Sequence, residues 1–272
     1  MRDLIDDENA GEFFDVPGLG EYLRRASREA RAGQGGLFEE APGPEPADLA
    51  ALVPLELRGL SLYGYNAAVL AAMSEPLPAG SIRRFCGRLV SAAERAGGKN
   101  NGLSAGPQAQ LAADAAAGDR GDDDTRAVLE AAAKVTREID RLRGLLRFCL
   151  DRAGMYIARC APDHFALPAL AGYFETRFGG TPWAIIDEKR RLALARFPGE
   201  TPRLAGLSAF TETAVPPGAT AGEGPAPDRW EEFWRTYHRS VNNKDRENPG
   251  LQRRFMPERY WKYLAEMRPP LP

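Results

Sequence analysis

Between residues 144 and 197 the hydrophobic pattern changes register repeatedly, and this constrains the fold more than any other stretch of the chain. Residues 144–150 (GLLRFCL) and 154–160 (GMYIARC) are short β-prone runs joined by Asp151-Arg152-Ala153-Gly154, a hairpin signal. In the following PDHFALPALAGYFETRFGG, Leu167, Leu170, Phe174 and Phe178 recur at helical spacing, and Gly179-Gly180 ends the pattern. Residues 182–187 (PWAIID) and 191–197 (RLALARF) make a second pair around Asp187-Glu188-Lys189-Arg190. Strand, strand, helix, strand, strand is the order of an α+β domain. The expected core is a ββαββ antiparallel sheet with the helix on one face, flanking helices and a helical N-terminal region.

The flanks divide the chain into an N-terminal region, residues 1–120, and a core domain, residues 121–272. Residues 17–32 are compatible with one short helix, and the Gly-, Pro- and Glu-rich residues 33–48 read as a linker. Amphipathic helices are expected over residues 62–74 and 80–96, with a loop over 97–106. Asp122-Asp123-Asp124 signals a helix start, because carboxylates there cap free amides and favour the helix dipole. Val128, Leu129, Ala132, Val135, Ile139 and Leu142 continue that helix at 3.6-residue spacing. Residues 198–228 read as a long loop, and the chain is helical again from Trp230.

Charge is distributed unevenly along this layout. Residues 1–133 hold 13 basic and 21 acidic side chains, net -8, whereas residues 134–272 hold 23 and 17, net +6. A uniformly basic nucleic-acid binder is excluded, but one basic half is not. No apolar run reaches the roughly 18 residues of a membrane helix. The acidic opening MRDLIDDENAGEFFD lacks a hydrophobic signal core. Cys86, Cys149 and Cys160 have no CxxC spacing and there are two histidines, so neither a metal nor a cofactor is expected. Reduced thiols in a cytoplasm fit this composition.

The segments LLRF, PDHFALPALAGYFETRF, PWAIIDEKRRLAL and NKDRENPGLQRRFMPERYWKYLAE occur in this order over residues 125–267. Together they resemble a bacterial DNA-metabolism or DNA-repair protein family. Asn248-Pro249, Met256-Pro257 and Tyr260-Trp261 are the most specific positions of the likeness. That family's core is a domain of unknown function that also occurs fused to uracil-DNA-glycosylase-like proteins. The resemblance implies a role in DNA repair, with a radical-SAM or glycosylase-like protein as partner, and leaves the reaction open.

Several groups could carry chemistry. Asp163-His164 stands at a strand-to-helix junction, where a histidine can exchange protons; the alternative is an N-cap aspartate followed by a first-turn histidine. Lys189 and Arg190 on the second hairpin turn can meet phosphates, and a lysine beside acids can act as a lyase nucleophile; otherwise the turn is only charged and exposed. Arg147 and Arg177 lie around the first hairpin and the helix. If residues 143–148 are extended, Arg143 and Arg147 share one face and Leu146 and Phe148 the other, a platform for phosphates.

Residues 228–268 carry ten bases, seven acids and interleaved aromatic rings, a composition suited to single-stranded DNA or an extruded damaged base. Trp234 and Trp261 are expected in the core, as are Trp230 and Phe255 in the packing alternative. Lys244, Arg246, Gln252 and Arg253 flank the Asn248-Pro249 turn and are the better contact candidates. Asn248 is expected to start a helix there, with its free amides as an anion site. Three functions are thus compatible with the sequence: a DNA-binding accessory protein working with a partner enzyme, a base-excision or lyase-type enzyme using Asp163, His164 and Lys189, and a protein-interaction module.

Overall fold

A computed structural model describes residues 52–97, 106–151, 154–208, 210, 229–243 and 246–267. The short helix expected over 17–32 and the linker over 33–48 lie outside the described residues. The chain divides into two compact units. The first takes the described residues up to Ile139 together with Asp163–Ala169. The second takes Asp140–Pro162 and the described residues from Leu170 onward.

The first unit is helical: α1 Leu57–Leu60, α2 Leu62–Ala72, α3 Ala79–Arg95, α4 Pro107–Gly118 and the part of α5 (Asp123–Leu145) up to Ile139. Helix α2 is buried almost all round, so it needs small side chains where other helices cross it. A Cβ on Gly64 would stand 2.3 Å from a methyl of Leu89 on α3, which fixes glycine at that crossing. Ser61 caps α2 by accepting from the Gly64 amide at 2.8 Å, and its hydroxyl donates to Asp114 on α4 at 2.6 Å. Helix α3 buries Ile82, Phe85, Cys86, Leu89 and Ala93, the face its spacing predicts. Asp122 caps α5 as expected, accepting from the amide and hydroxyl of Thr125 at 2.8 and 2.9 Å. Helix α4 was not apparent in the sequence, because its buried contacts are the alanines Ala109, Ala113 and Ala117.

The second unit contains the ββαββ core. Its sheet runs β1 (Cys149–Leu150), β2 (Tyr156–Cys160), β3 (Trp183–Asp187), β4 (Leu192–Arg196) and β5 (Arg203–Gly206), in that spatial order. Three of the strand pairs are antiparallel, while β2 and β3 are parallel, with Ala158 opposite Ile185. The parallel pair departs from the all-antiparallel expectation. Its cause is the connection through helix α6 (Ala171–Phe178), which returns the chain to the end of the sheet where β2 began. Strand β5 falls within the stretch expected to be loop; Arg203-Leu204-Ala205-Gly206 is too short and too small for a recognisable strand pattern.

Every residue of β3 is buried, so the sheet is covered on both faces at this strand. Phe148, Phe174, Phe178 and Trp183 pack together, with neighbouring ring centroids 4.7–6.3 Å apart. Ala184, Ile186, Ala193 and Ala195 pack with Met155 and Phe210. Beyond the sheet stand α7 (Arg229–Val241), α8 (Pro249–Phe255) and two 3₁₀ turns, Glu258–Tyr263 and Ala265–Met267.

The extended reading of residues 143–148 is corrected. Helix α5 continues to Leu145 and only Cys149–Leu150 pair as a strand, so Arg143 lies in a helical last turn. Arg147 supports that longer helix by donating to the Gly144 carbonyl at 2.8 Å, satisfying an acceptor left open at a helix end.

Candidate functional site

The turn between β3 and β4 has a buried half and an exposed half. Asp187 ends β3 with its carboxylate fully buried. It accepts from the Lys189 and Arg190 amides at 2.9 and 3.2 Å and from the Arg190 guanidinium at 2.8 Å. That guanidinium is also buried and donates to the Pro162 carbonyl at 3.2 Å. Burial pushes the Asp187 carboxyl above its ordinary value, against the opposing pull of Arg190. This pair holds the turn together, and Arg190, expected at a phosphate, has an interior role. Lys189 projects into solvent on the exposed half.

Glu188 is the focus of that exposed half. Its carboxylate accepts from the Tyr263 hydroxyl at 2.6 Å and the Lys262 ammonium at 3.2 Å, with the Arg159 guanidinium 3.8 Å away. Burial raises the Glu188 carboxyl, but the Tyr263 and Lys262 hydrogen bonds outweigh it, and the net displacement is downward. Burial first and Glu188 second push the Tyr263 hydroxyl up. Strand β2, the β3–β4 turn and a C-terminal 3₁₀ turn thus meet in one charged cluster, in which Arg159 and Lys262 are more than half exposed.

A second buried constellation fixes the C-terminal segment. Glu266 accepts from the Arg147 guanidinium at 2.7 Å and from the Trp234 indole at 2.9 Å, and Arg147 stacks 5.2 Å from the Trp234 ring centre. Arg147, expected at phosphates, is therefore ion-paired to a carboxylate whose side chain is 5% exposed. Burial raises the Glu266 carboxyl, but Arg147, a backbone amide and the Trp234 indole together outweigh it and leave it below its ordinary value.

The remaining C-terminal candidates are open to solvent. Asn248 starts α8 as expected, but its side chain accepts from the Leu251 amide at 3.0 Å, so that amide is not left for an anion. Arg253 pairs with Glu258 at 2.8 Å with both side chains about 60% exposed, a geometry worth roughly 0–1 kcal/mol. Gln252 is half-buried and its amide reaches the Met267 sulfur at 3.6 Å. Arg246 and Arg177 are exposed and make no ion pair with the described residues. Lys244 lies outside the described residues, as does the side chain of Trp230.

The rings depart most from expectation. Trp234 is 38% exposed, with the Arg147 guanidinium over its ring. Phe255 is 64% exposed. Trp261 is half-buried and donates to the Met256 carbonyl at 2.8 Å.

Asp163 and His164 belong to the first unit. Asp163 does not cap a helix, since the 3₁₀ turn after it begins only at Leu167. Instead, the Asp163 and His164 amides donate to the buried carboxylate of Glu138 at 2.9 and 2.7 Å. His164 Nδ1 accepts from the Glu75 amide at 3.0 Å, which assigns the ring hydrogen to the other nitrogen. Glu138 was missed in the sequence although a signal was present: it falls on the apolar stripe of α5, between Val135 and Leu142.

Among the described residues no group of three His, Cys, Asp or Glu side chains could hold a metal ion, and no helix is long and apolar enough to cross a membrane. The fold and these clusters define an α+β protein with a charged turn and an exposed, basic C-terminal face. The chain belongs to a family described as a domain of unknown function, DUF4130, whose model matches residues 108–266, more than half its length. No curated protein and no solved structure matched.

Proposed function

We propose that the chain is a cytoplasmic accessory protein of bacterial DNA repair or DNA metabolism. Its second unit binds nucleic acid through phosphate contacts, and a radical-SAM or glycosylase-like partner performs the chemistry. One observation carries the reading: on the C-terminal segment, solvent-exposed cations and solvent-exposed rings occur together. Arg246 and Arg177 are exposed and make no ion pair with the described residues, Arg253 is exposed and only weakly paired, and Lys189 is exposed. Exposed bases of this kind exchange a weak carboxylate partner for a phosphate at little cost. The resemblance of residues 125–267 supplies the process.

The enzymatic alternative has less support. His164 Nδ1 is occupied by a backbone amide. The free thiols Cys86, Cys149 and Cys160 are consistent with a reducing compartment.

The test is fluorescence anisotropy of labelled oligonucleotides as salt is raised. The expected result is a linear fall of log affinity with log salt, and a slope shallower by about two in Arg246→Glu/Arg253→Glu. Salt-independent binding, or none to single-stranded, duplex or damaged DNA, overturns the reading.

A further inference from the structure

Side chains from three separate segments of the second unit converge on one point. They are Arg159 on β2, Glu188 on the β3–β4 turn, and Lys262 and Tyr263 on the 3₁₀ turn Glu258–Tyr263. The backbone fixes them there. Arg159 is the exposed residue between buried Ala158 and Cys160. The Glu188 amide donates to the Cys160 carbonyl at 2.9 Å, which ties the turn to the end of that strand. The buried Asp187–Arg190 pair brackets Glu188. Arg191 follows at a φ of 54°, a left-handed conformation that a residue with a Cβ keeps only where its surroundings hold it. The Lys262 ammonium also lies 4.6 Å from the Tyr263 ring centre.

This set of donors is larger than the anion it holds. The Tyr263 hydroxyl and the Lys262 ammonium both donate to Oε2 of Glu188, at 2.6 and 3.2 Å. The Arg159 guanidinium stands 3.8 Å from Oε1, beyond hydrogen-bond distance. Among the described residues neither Arg159 nor Lys262 has another carboxylate within 4 Å. Two cations against one carboxylate leave one positive charge over, on side chains 56% and 61% exposed. A carboxylate has two oxygens and here serves two of the donors. A terminal phosphate has three, and its charge of about -1.5 to -2 at neutral pH exceeds that of Glu188. An internal phosphodiester, with two free oxygens and a single charge, has no such advantage.

We infer that this cluster is a seat for the terminal phosphate of a nucleic-acid strand, with Arg159, Lys262 and Tyr263 as its donors and Glu188 as a resident competitor that the phosphate displaces. The inference rests on the nucleic-acid reading above and narrows its substrate class to strands with a phosphorylated end.

The experiment is anisotropy on the full chain with a labelled thymidine 12-mer carrying a 5′-phosphate, a 3′-phosphate or hydroxyls at both ends. In wild type one phosphorylated strand binds about tenfold or more tighter than the hydroxyl strand. Arg159→Ala, which loses no hydrogen bond within the fold, abolishes that preference. Glu188→Gln, with native circular dichroism, binds the phosphorylated strand about threefold or more tighter, because the competing charge is gone. Equal binding of all three strands in wild type, weakened alike by Arg246→Glu/Arg253→Glu, overturns the seat and leaves nucleic-acid binding standing. A phosphate preference that survives Arg159→Ala, or weaker binding in folded Glu188→Gln, overturns the seat as well. Binding of no strand overturns both readings. Inorganic phosphate that displaces the strand at equal affinity assigns the seat to a free phosphate compound and overturns the strand end as its ligand.

Discussion

The two units expose different things. Among the described residues, the large apolar side chains that the first unit leaves in water are leucines: Leu55, Leu62, Leu77 and Leu111. The second unit exposes Tyr173, Phe233, Trp234, Tyr237 and Phe255, besides Leu150, Val241 and Leu251. Scattered leucines are ordinary on a protein surface. Exposed rings on segments rich in arginine are the feature on which the proposed nucleic-acid binding rests.

The interiors differ in the same direction. Among the described residues, the first unit closes on alanine-lined helix crossings and buries the Glu138 carboxylate against two backbone amides. The second packs large rings and buries a complete ion pair, Asp187–Arg190. Among the described residues, Asp122 of the first unit serves a helix start.

The largest expected effect comes from breaking the buried pair. Arg190→Ala strands Asp187 without its counter-ion and should lower unfolding free energy by about 3–5 kcal/mol. All four tryptophans lie at or beyond Trp183, so urea unfolding followed by indole fluorescence reports on this unit. A loss under 1 kcal/mol would mean that the pair does not hold the turn.

Next in size is Glu138→Gln. One amide oxygen cannot replace a carboxylate that accepts two N–H groups, and the new NH₂ faces a donor. Stability should fall by about 1–3 kcal/mol, read by far-ultraviolet circular dichroism in urea. Wild-type stability would show that the Asp163–His164 amides find other acceptors.

The smallest effect is a pH dependence of the first unit. Hydrogen bonds from Arg84 and then Ser81 hold the Asp124 carboxyl at about 2, below its ordinary 3.8. A depressed carboxyl contributes stability above its ordinary value and loses it as pH falls through its folded value. The contribution should therefore drain between about pH 4 and pH 2. Asp124→Asn should flatten the thermal midpoint over that window, and an unchanged profile would show that the bond to Arg84 is not retained in solution.

How much of this was legible in the sequence depended on side-chain size and on range. The ββαββ order, the α3 face and the Asp122 cap were readable because periodicity and capping are local. The parallel β2–β3 pair was not, since strand direction is set by the path of the connection rather than by either strand. Helix α4 and β5 were missed for want of large side chains to mark them. At the candidate site, the exposure of Lys189, Arg246 and Arg253 followed from turn and helix composition. The diversion of Arg147 to Glu266, 119 residues away, and of Arg190 to Asp187 depended on tertiary contacts. Trp234, expected in the core, is 38% exposed with the Arg147 guanidinium over its ring.

The central claim is that nucleic acid meets the second unit and not the first. Amide hydrogen exchange of the full chain with and without a saturating single-stranded oligonucleotide tests it directly. The account predicts added protection over residues 229–263 and at the β3–β4 turn, with α2, α3 and α4 unchanged. Protection gained on α2–α4, or none on α7 and α8, would contradict it.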